Sequence, residues 1–412
     1  MNSDISLGPQ FFKNNRLRLR ELFSGTAPIV ISGNYLLQKS ADSAYKFVQD
    51  SSFWYLTGVN DPGLTLVLDG DKEYIISPAY DPVRATFDGE LDKALIIKTS
   101  GIDSVIESDE GWKTIGRKIA KSKHVATVQP SPPYIESMSM FTSPAKAKTV
   151  EKIKEHNPDV DLIDLRKVLS SLRCTKQPEE IALMKRAINE TAKLYKLIEK
   201  ARRKATNENQ LMAEISKHII LNNLEFAYSP IIASGENALT LHYTHNDSDI
   251  NPKEFLLVDA AAKYGSYCAD ITRTVATDLT KRQQAVYDAV LSVQEYAISL
   301  LKPGTDLEKY EQKVHEFMGE KLRELGLIKS ISKETVREFY PHSTSHFLGI
   351  DPHDVGDYKS PLAPGMVLTV EPGIYIKDEG IGVRIEDMVL ITEEGYEIMS
   401  KFIIKDASKL AH

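Results

Sequence analysis

The chain has 412 residues, enough for two or three domains at roughly 100–200 residues each. Apolar residues make up 42% and charged residues 26%, the balance of an ordinary globular protein. With 51 Lys+Arg against 58 Asp+Glu the net charge is −7, which excludes a strongly basic nucleic-acid binder.

No apolar run approaches the roughly 18–20 residues of a membrane helix. The segment Met1–Gln10 is polar and lacks the apolar core of a secretory signal. Cys174 and Cys268, the two cysteines, make neither a disulfide framework nor a Cys-rich metal site. These features point to a cytoplasmic protein with no nucleic-acid and no membrane partner.

In chain order, the first part alternates strand and helix patterns. Gln10–Leu22 reads as a helix and Ile29–Ser32 as a short strand. Leu64–Leu68 and Tyr74–Ser77 flank Asp69-Gly70-Asp71, a hairpin signal. Leu95–Lys98 and His124–Val128 are further expected strands, and Ile106–Ala120 and Ala145–Glu155 expected helices. The pattern changes near Ser170–Lys176, so the division is set at 1–172 and 173–412.

The second part repeats one plan. Pro178–Ala201 is a helix with Pro in its first turn and acids beside it. A second helix runs from Asn207 to about Leu221, and a β-rich stretch covers Glu254–Thr274. Then come Leu279–Leu301, a helix opened by Thr305-Asp306-Leu307-Glu308 as a capping box, and a second β-rich stretch, Met366–Ile391. Helix, helix, hairpin occurs twice, as a repeat of plan rather than of letters.

The acids lie on the hairpins. Asp259 and Asp270 are equidistant from Tyr264-Gly265, which reads as a two-residue turn, so they are expected directly opposite each other. Glu371 and Glu386 are centred on Lys377–Gly380 in the same way. Carboxylates paired among apolar neighbours need a cation or a shared proton. Between the hairpins, three of the chain's ten histidines fall in His342–Asp354. Four carboxylates with one imidazole suit Mn²⁺, Co²⁺, Zn²⁺ or Fe²⁺. Two such ions roughly 3.5–4 Å apart can activate a bridging water and polarise a carbonyl, which points to hydrolysis.

The fragments Val258-Asp259, Ala269-Asp270-Ile271-Thr272-Arg273-Thr274, His342–Gly349, Thr369–Tyr375 and Gly382–Asp387 resemble the pita-bread metallopeptidases of family M24. Lys39–Ser43 with Phe53–Gly58 resemble the N-terminal domain of the aminopeptidase P and prolidase members, and Leu172–Ile181 resembles the family's entry to the catalytic domain. The resemblance implies an α/β chain: a creatinase/prolidase-like N-terminal domain, 1–172, and then an α+β pita-bread catalytic domain, 173–412, with a pseudo-twofold repeat. It implies that Asp259, Asp270, His346, Glu371 and Glu386 are the metal ligands. Asp270 and Glu386 would bridge two divalent ions, with manganese the first choice. Glu371 would also handle a proton, and His242 and His353 would contact substrate. His342 would lie close by, and Arg384 beside Glu386. Ser343, where the family has glycine, is a departure in the local backbone.

The implied activity is metal-dependent removal of the first residue from peptides with proline second, through a metal-bridging hydroxide, by a homodimer or homotetramer. Prolidase, acting on Xaa-Pro dipeptides, is the near alternative. A non-catalytic binding protein on the same fold is the distant one.

Overall fold

The computed structural model describes residues 7–130, 135, 138–276 and 278–405. They form two compact units, Met1–Leu172 and Arg173–His412.

The first unit is built on a mixed six-stranded sheet. The hairpin strands Thr65–Asp69 and Lys72–Ser77 pair antiparallel, with Asp69 opposite Lys72. Ile29–Ser32 joins Thr65–Asp69 antiparallel and His124–Thr127 parallel. Ser104–Glu107 and Asp161–Asp164 form the edges, both parallel to their neighbours. Val30, Val67, Ile76, Ile115 and Ile119 pack into one core. Trp54 packs edge-on against Phe12, with centroids 5.7 Å apart.

Two sequence readings change here, and one strand is added. Leu95–Lys98 is not a strand but part of the helix Lys93–Ser100. The Asp92 carboxylate caps it by accepting from the Leu95 amide, and Gly101 ends it in the left-handed region. Capping outweighs a short apolar run that carries no helix-or-strand information of its own. The expected helix Ile106–Ala120 gives its start to the strand Ser104–Glu107, and the helix is Ser108–Ile119. The strand Asp161–Asp164 has too little apolar periodicity to have been visible.

The second unit keeps the repeated plan. Helices Pro178–Arg202 and Glu208–Leu221 precede the first set of strands, and Lys281–Ser299 and Leu307–Glu324 precede the second. Asp306, not Thr305, caps the last of these helices, accepting from the amides of Glu308 and Lys309. The Thr305 hydroxyl donates instead to the Leu300 carbonyl. A short helix, Lys333–Phe339, has no counterpart in the first repeat or in the sequence reading. Val286, Val290, Val293, Val314 and Met318 pack beneath the second hairpin, against Val370, Val383 and Val389. No helix among the described residues is long and apolar enough to cross a membrane.

Candidate active site

The second hairpin holds the register its sequence predicts. Val370 pairs with Asp387 and Gly373 with Arg384, so Glu371 and Glu386 face each other in the gap between two ladders. Pro372 and Ile385 fill that gap, the Ile385 amide donating to the Pro372 carbonyl at 3.3 Å.

The first hairpin does not. Asp259 pairs with Thr272 and Tyr264 with Tyr267, a register shifted by two. The turn residues are therefore Gly265 and Ser266, with φ of 55° and 70°. A two-residue turn of this hand needs positive φ at both positions. Glycine takes that freely and serine at less steric cost than Tyr264 would. Asp259 and Asp270 are diagonal neighbours rather than direct opposites.

Polar bonds lock the two hairpins together. The Glu386 amide donates to the Thr272 carbonyl at 3.1 Å, and the Thr272 hydroxyl to Glu386 Oε2 at 2.7 Å. The Thr274 hydroxyl and the Arg384 backbone bond reciprocally. Arg273, fully buried, donates to the Glu386 carbonyl and pairs with Asp387 at 2.8 Å. It also donates to the carbonyls of Ile403 and Ile404.

Ligand-type atoms of Asp270, His346 and Glu386 all lie within 4.8 Å of one another. His346 Nε2 is 3.6 Å from Asp270 Oδ2 and 3.2 Å from Glu371 Oε1. His346 Nδ1 lies 3.1 Å from the Phe347 carbonyl. Donation there leaves Nε2 free to act as a ligand, the arrangement usual for metal-binding histidine. Asp259 stands at the side, with Oδ2 2.8 Å from Arg384 Nη2 and Oδ1 accepting from the Tyr228 hydroxyl at 2.5 Å.

The remaining predicted residues surround this cluster. Arg384 also donates to the Tyr375 hydroxyl at 3.0 Å and to Thr272 at 3.2 Å. His342 Nε2 meets the same Tyr375 hydroxyl at 3.0 Å. The His353 ring stacks on His346, with centroids 4.1 Å apart and planes 18° from parallel. His242 is exposed on a turn, near enough for its charge to lower the pKa of His353. Tyr243 packs in a small core with Ile231 and Leu257, its hydroxyl donating to Glu208 at 2.8 Å. The Cys268 thiol is buried against the Ile350 carbonyl at 3.2 Å.

Sequence reasoning missed Tyr228, Thr272 and Thr369. The Thr369 hydroxyl donates to Glu371 Oε1 at 3.3 Å and accepts from the His346 amide at 3.1 Å. Thr272 and Thr369 stand inside the motif fragments, and their alternation with the acids was the available signal. Tyr228 lies in irregular chain outside every motif.

The electrostatics call for positive charge. Burial pushes Asp270 well above the usual carboxylate range, and the charges of Asp259 and Glu371 push it further. Glu386 is raised in the same way, by burial and then by Asp270 and Glu371. Burial opposes a charge on His346, but the hydrogen bond and charge of Glu371 win and carry it up to about 9. Burial also works to raise Glu371, yet His346 holds it below the usual range. The cluster thus asks for protons, and a divalent cation answers the same demand. Oxygen-rich donors with one imidazole fit such an ion.

The model of metallopeptidase family M24 matches residues 182–393. The chain belongs to metallopeptidase family M24. The aminopeptidase P N-terminal domain matches residues 12–127, ahead of the M24 domain. The Xaa-Pro aminopeptidase of Escherichia coli K12 is 31% identical over 428 aligned residues, spanning 97% of this chain and 96% of that protein. Human Xaa-Pro aminopeptidase 3 is 31% identical over 410 residues, spanning 92% of this chain and 79% of the relative. The solved structure of zinc-substituted E. coli aminopeptidase P in complex with product matches with a TM-score of 0.85 and 30% identity over 98% of both chains. Proline aminopeptidase P II from Yersinia pestis matches with a TM-score of 0.84 and 30% identity, covering 98% of this chain and 99% of that one. This M24 chain is accordingly a hydrolase of the aminopeptidase P type, with a pita-bread catalytic unit.

Proposed function

We propose that the protein is a dinuclear metal-dependent aminopeptidase that releases the first residue of peptides whose second residue is proline. The observation that carries this reading is the convergence of Asp270, His346 and Glu386 within 4.8 Å, with Glu371 3.2 Å from His346. The Xaa-Pro aminopeptidase relatives, aligned over nearly the whole chain, support the choice of substrate.

Asp259, Asp270, His346, Glu371 and Glu386 would hold two divalent ions. Ions bound there would supply an activated water as nucleophile and polarise the scissile carbonyl. The protein's own groups do the rest. Arg384 and Tyr228 hold both oxygens of Asp259 and so orient it. Glu371, kept ionised beside His346, would take a proton from the nucleophile and return it to the leaving proline nitrogen. His353 and His242 would face the substrate and donate to the peptide carbonyl, where charge develops. Tyr375 ties His342 to Arg384 and fixes that wall. Proline offers no amide proton, so recognition has to rest on ring shape.

The same reading assigns 1–172 to a creatinase/aminopeptidase P-like domain and 173–412 to catalysis. Manganese as the working ion, a cytoplasmic location and a homodimer or homotetramer rest on the family resemblance alone.

The test compares an Xaa-Pro-Xaa tripeptide with the matching Xaa-Pro dipeptide, with Mn²⁺ and with chelator. Chelator-sensitive release of the first residue from the tripeptide supports the proposal. Turnover of the dipeptide alone makes the protein a prolidase. No hydrolysis in metal-loaded protein makes it a binding protein on the same fold.

A further inference from the structure

His353 sits in irregular chain, so no strand ladder fixes its ring. Its neighbour Asp354 is different. The Asp354 side chain is 1% exposed and lies 2.5 Å from Arg173 Nη2 and 3.4 Å from Lys176 Nζ. Those two side chains are themselves only 3% and 1% exposed. Arg173 Nη2 also reaches Asp351 Oδ2 at 2.8 Å. Asp354 Oδ1 accepts from the Val355 amide at 2.9 Å, and the Asp354 amide donates to the Phe347 carbonyl at 2.9 Å.

Gly349 makes room for this carboxylate. A Cβ at Gly349 would stand 2.1 Å from Asp354 Oδ2. The Gly349 carbonyl accepts from the Cys268 amide at 2.8 Å, two residues before Asp270. The loop is thus tied to the first hairpin on one side and to Arg173 on the other. Between those ties the His353 ring lies parallel to His346.

Stability alone is a poor account of such a network. Buried ion pairs are weak sources of net stability, because desolvation offsets their attraction. What a guanidinium and a carboxylate do supply is a fixed direction. We propose that Asp354, held by Arg173 and Lys176 in the space left by Gly349, is a positioning residue that fixes the His353 ring over the substrate side of the centre. This rests on the reading of His353 as a substrate-facing group of an Xaa-Pro aminopeptidase.

The test uses the full-length, metal-loaded protein and two variants that reach Asp354 differently, Asp354→Asn and Gly349→Ala. Each is expected to lower kcat/KM on an Xaa-Pro tripeptide by roughly 10–100-fold while keeping the parent's bound-metal stoichiometry. In a His353→Ala background neither should add a further loss, because both act through that ring. Losses that multiply in the double variants, or loss of metal, overturn the proposal. A crystal structure of metal-loaded Asp354→Asn gives a readout that needs no activity. Displacement of the His353 ring from its stack on His346 supports the anchor, and an unchanged stack overturns it. An inactive parent protein would refute the functional reading and leave the crystal structure to decide the anchor. Should Asp354→Asn fail to fold, Gly349→Ala carries both readouts.

Discussion

Thr272 and Glu386, 114 residues apart in the chain, share two hydrogen bonds: hydroxyl to carboxylate at 2.7 Å and amide to carbonyl at 3.1 Å. The first half of the repeat thereby aims an acid that belongs to the second. Thr272→Val keeps the shape and removes the donor to a buried charge, an interaction of about 1.5–3 kcal/mol. Metal affinity should fall roughly 10–100-fold. Titrating chelator-treated protein with Mn²⁺ checks this, and Thr272→Ser should restore most of the affinity.

The buried acids predict strong linkage between metal and folding. With free Mn²⁺ at about a hundred times its dissociation constant, binding should add about 2.7 kcal/mol of stability. Thermal unfolding with Mn²⁺ and with chelator measures the difference. Equal midpoints in the two conditions would remove the cation from the account of this cluster.

Arg384 uses three nitrogens on three partners, Asp259, Tyr375 and Thr272, at 2.8, 3.0 and 3.2 Å. A lysine ammonium has one nitrogen and no planar fork. Arg384→Lys should therefore lose most of the activity, about 100-fold in kcat/KM, despite keeping its charge. Steady-state kinetics beside Arg384→Met test this. A near-normal Lys variant would reduce the role of Arg384 to charge neutralisation.

His342 gives a pH signature. Burial holds its pKa below the ordinary 6.5. In the window between the folded and unfolded values the unfolded chain binds the proton and the folded one does not. Stability is therefore at its full value above about pH 6.5 and falls as pH drops through the depressed folded value. His342→Gln should flatten that part of the profile. Urea midpoints for both proteins at pH 5 to 7.5 check it, and parallel profiles would count against the assignment.

The register that departs from the sequence reading makes a prediction of its own. Ser266 holds a φ of 70°, which glycine adopts without strain. Ser266→Gly should stabilise by about 0.5–1 kcal/mol. Urea unfolding measures it. A destabilised variant would mean that the serine side chain holds the turn.

These two hairpins show what could be read in advance. Glu371 and Glu386 are legible because they are centred on the turn and the ladders on both sides keep that register. Centring Asp259 and Asp270 on Tyr264-Gly265 makes the glycine the second turn residue, whereas it is the first. One left-handed serine moves the register by two and leaves both acids on the same face. Helix caps misled at Thr305 for a related reason, since two adjacent residues can each cap and only packing chooses Asp306. Tyr228 was beyond reach, because its bond to Asp259 depends on how irregular chain crosses the sheet and no local pattern encodes that.

The grip of Arg273 also has a meaning for synthesis. Besides Asp387, its partners include the carbonyls of Glu386, Ile403 and Ile404, which lie 113, 130 and 131 residues further along the chain. While the ribosome makes those residues, Arg273 has the Thr272 carbonyl but lacks its carboxylate partner and its other acceptors. Burying it early would strand a charge. Closure of the first hairpin is therefore favoured only once the last of these carbonyls has emerged.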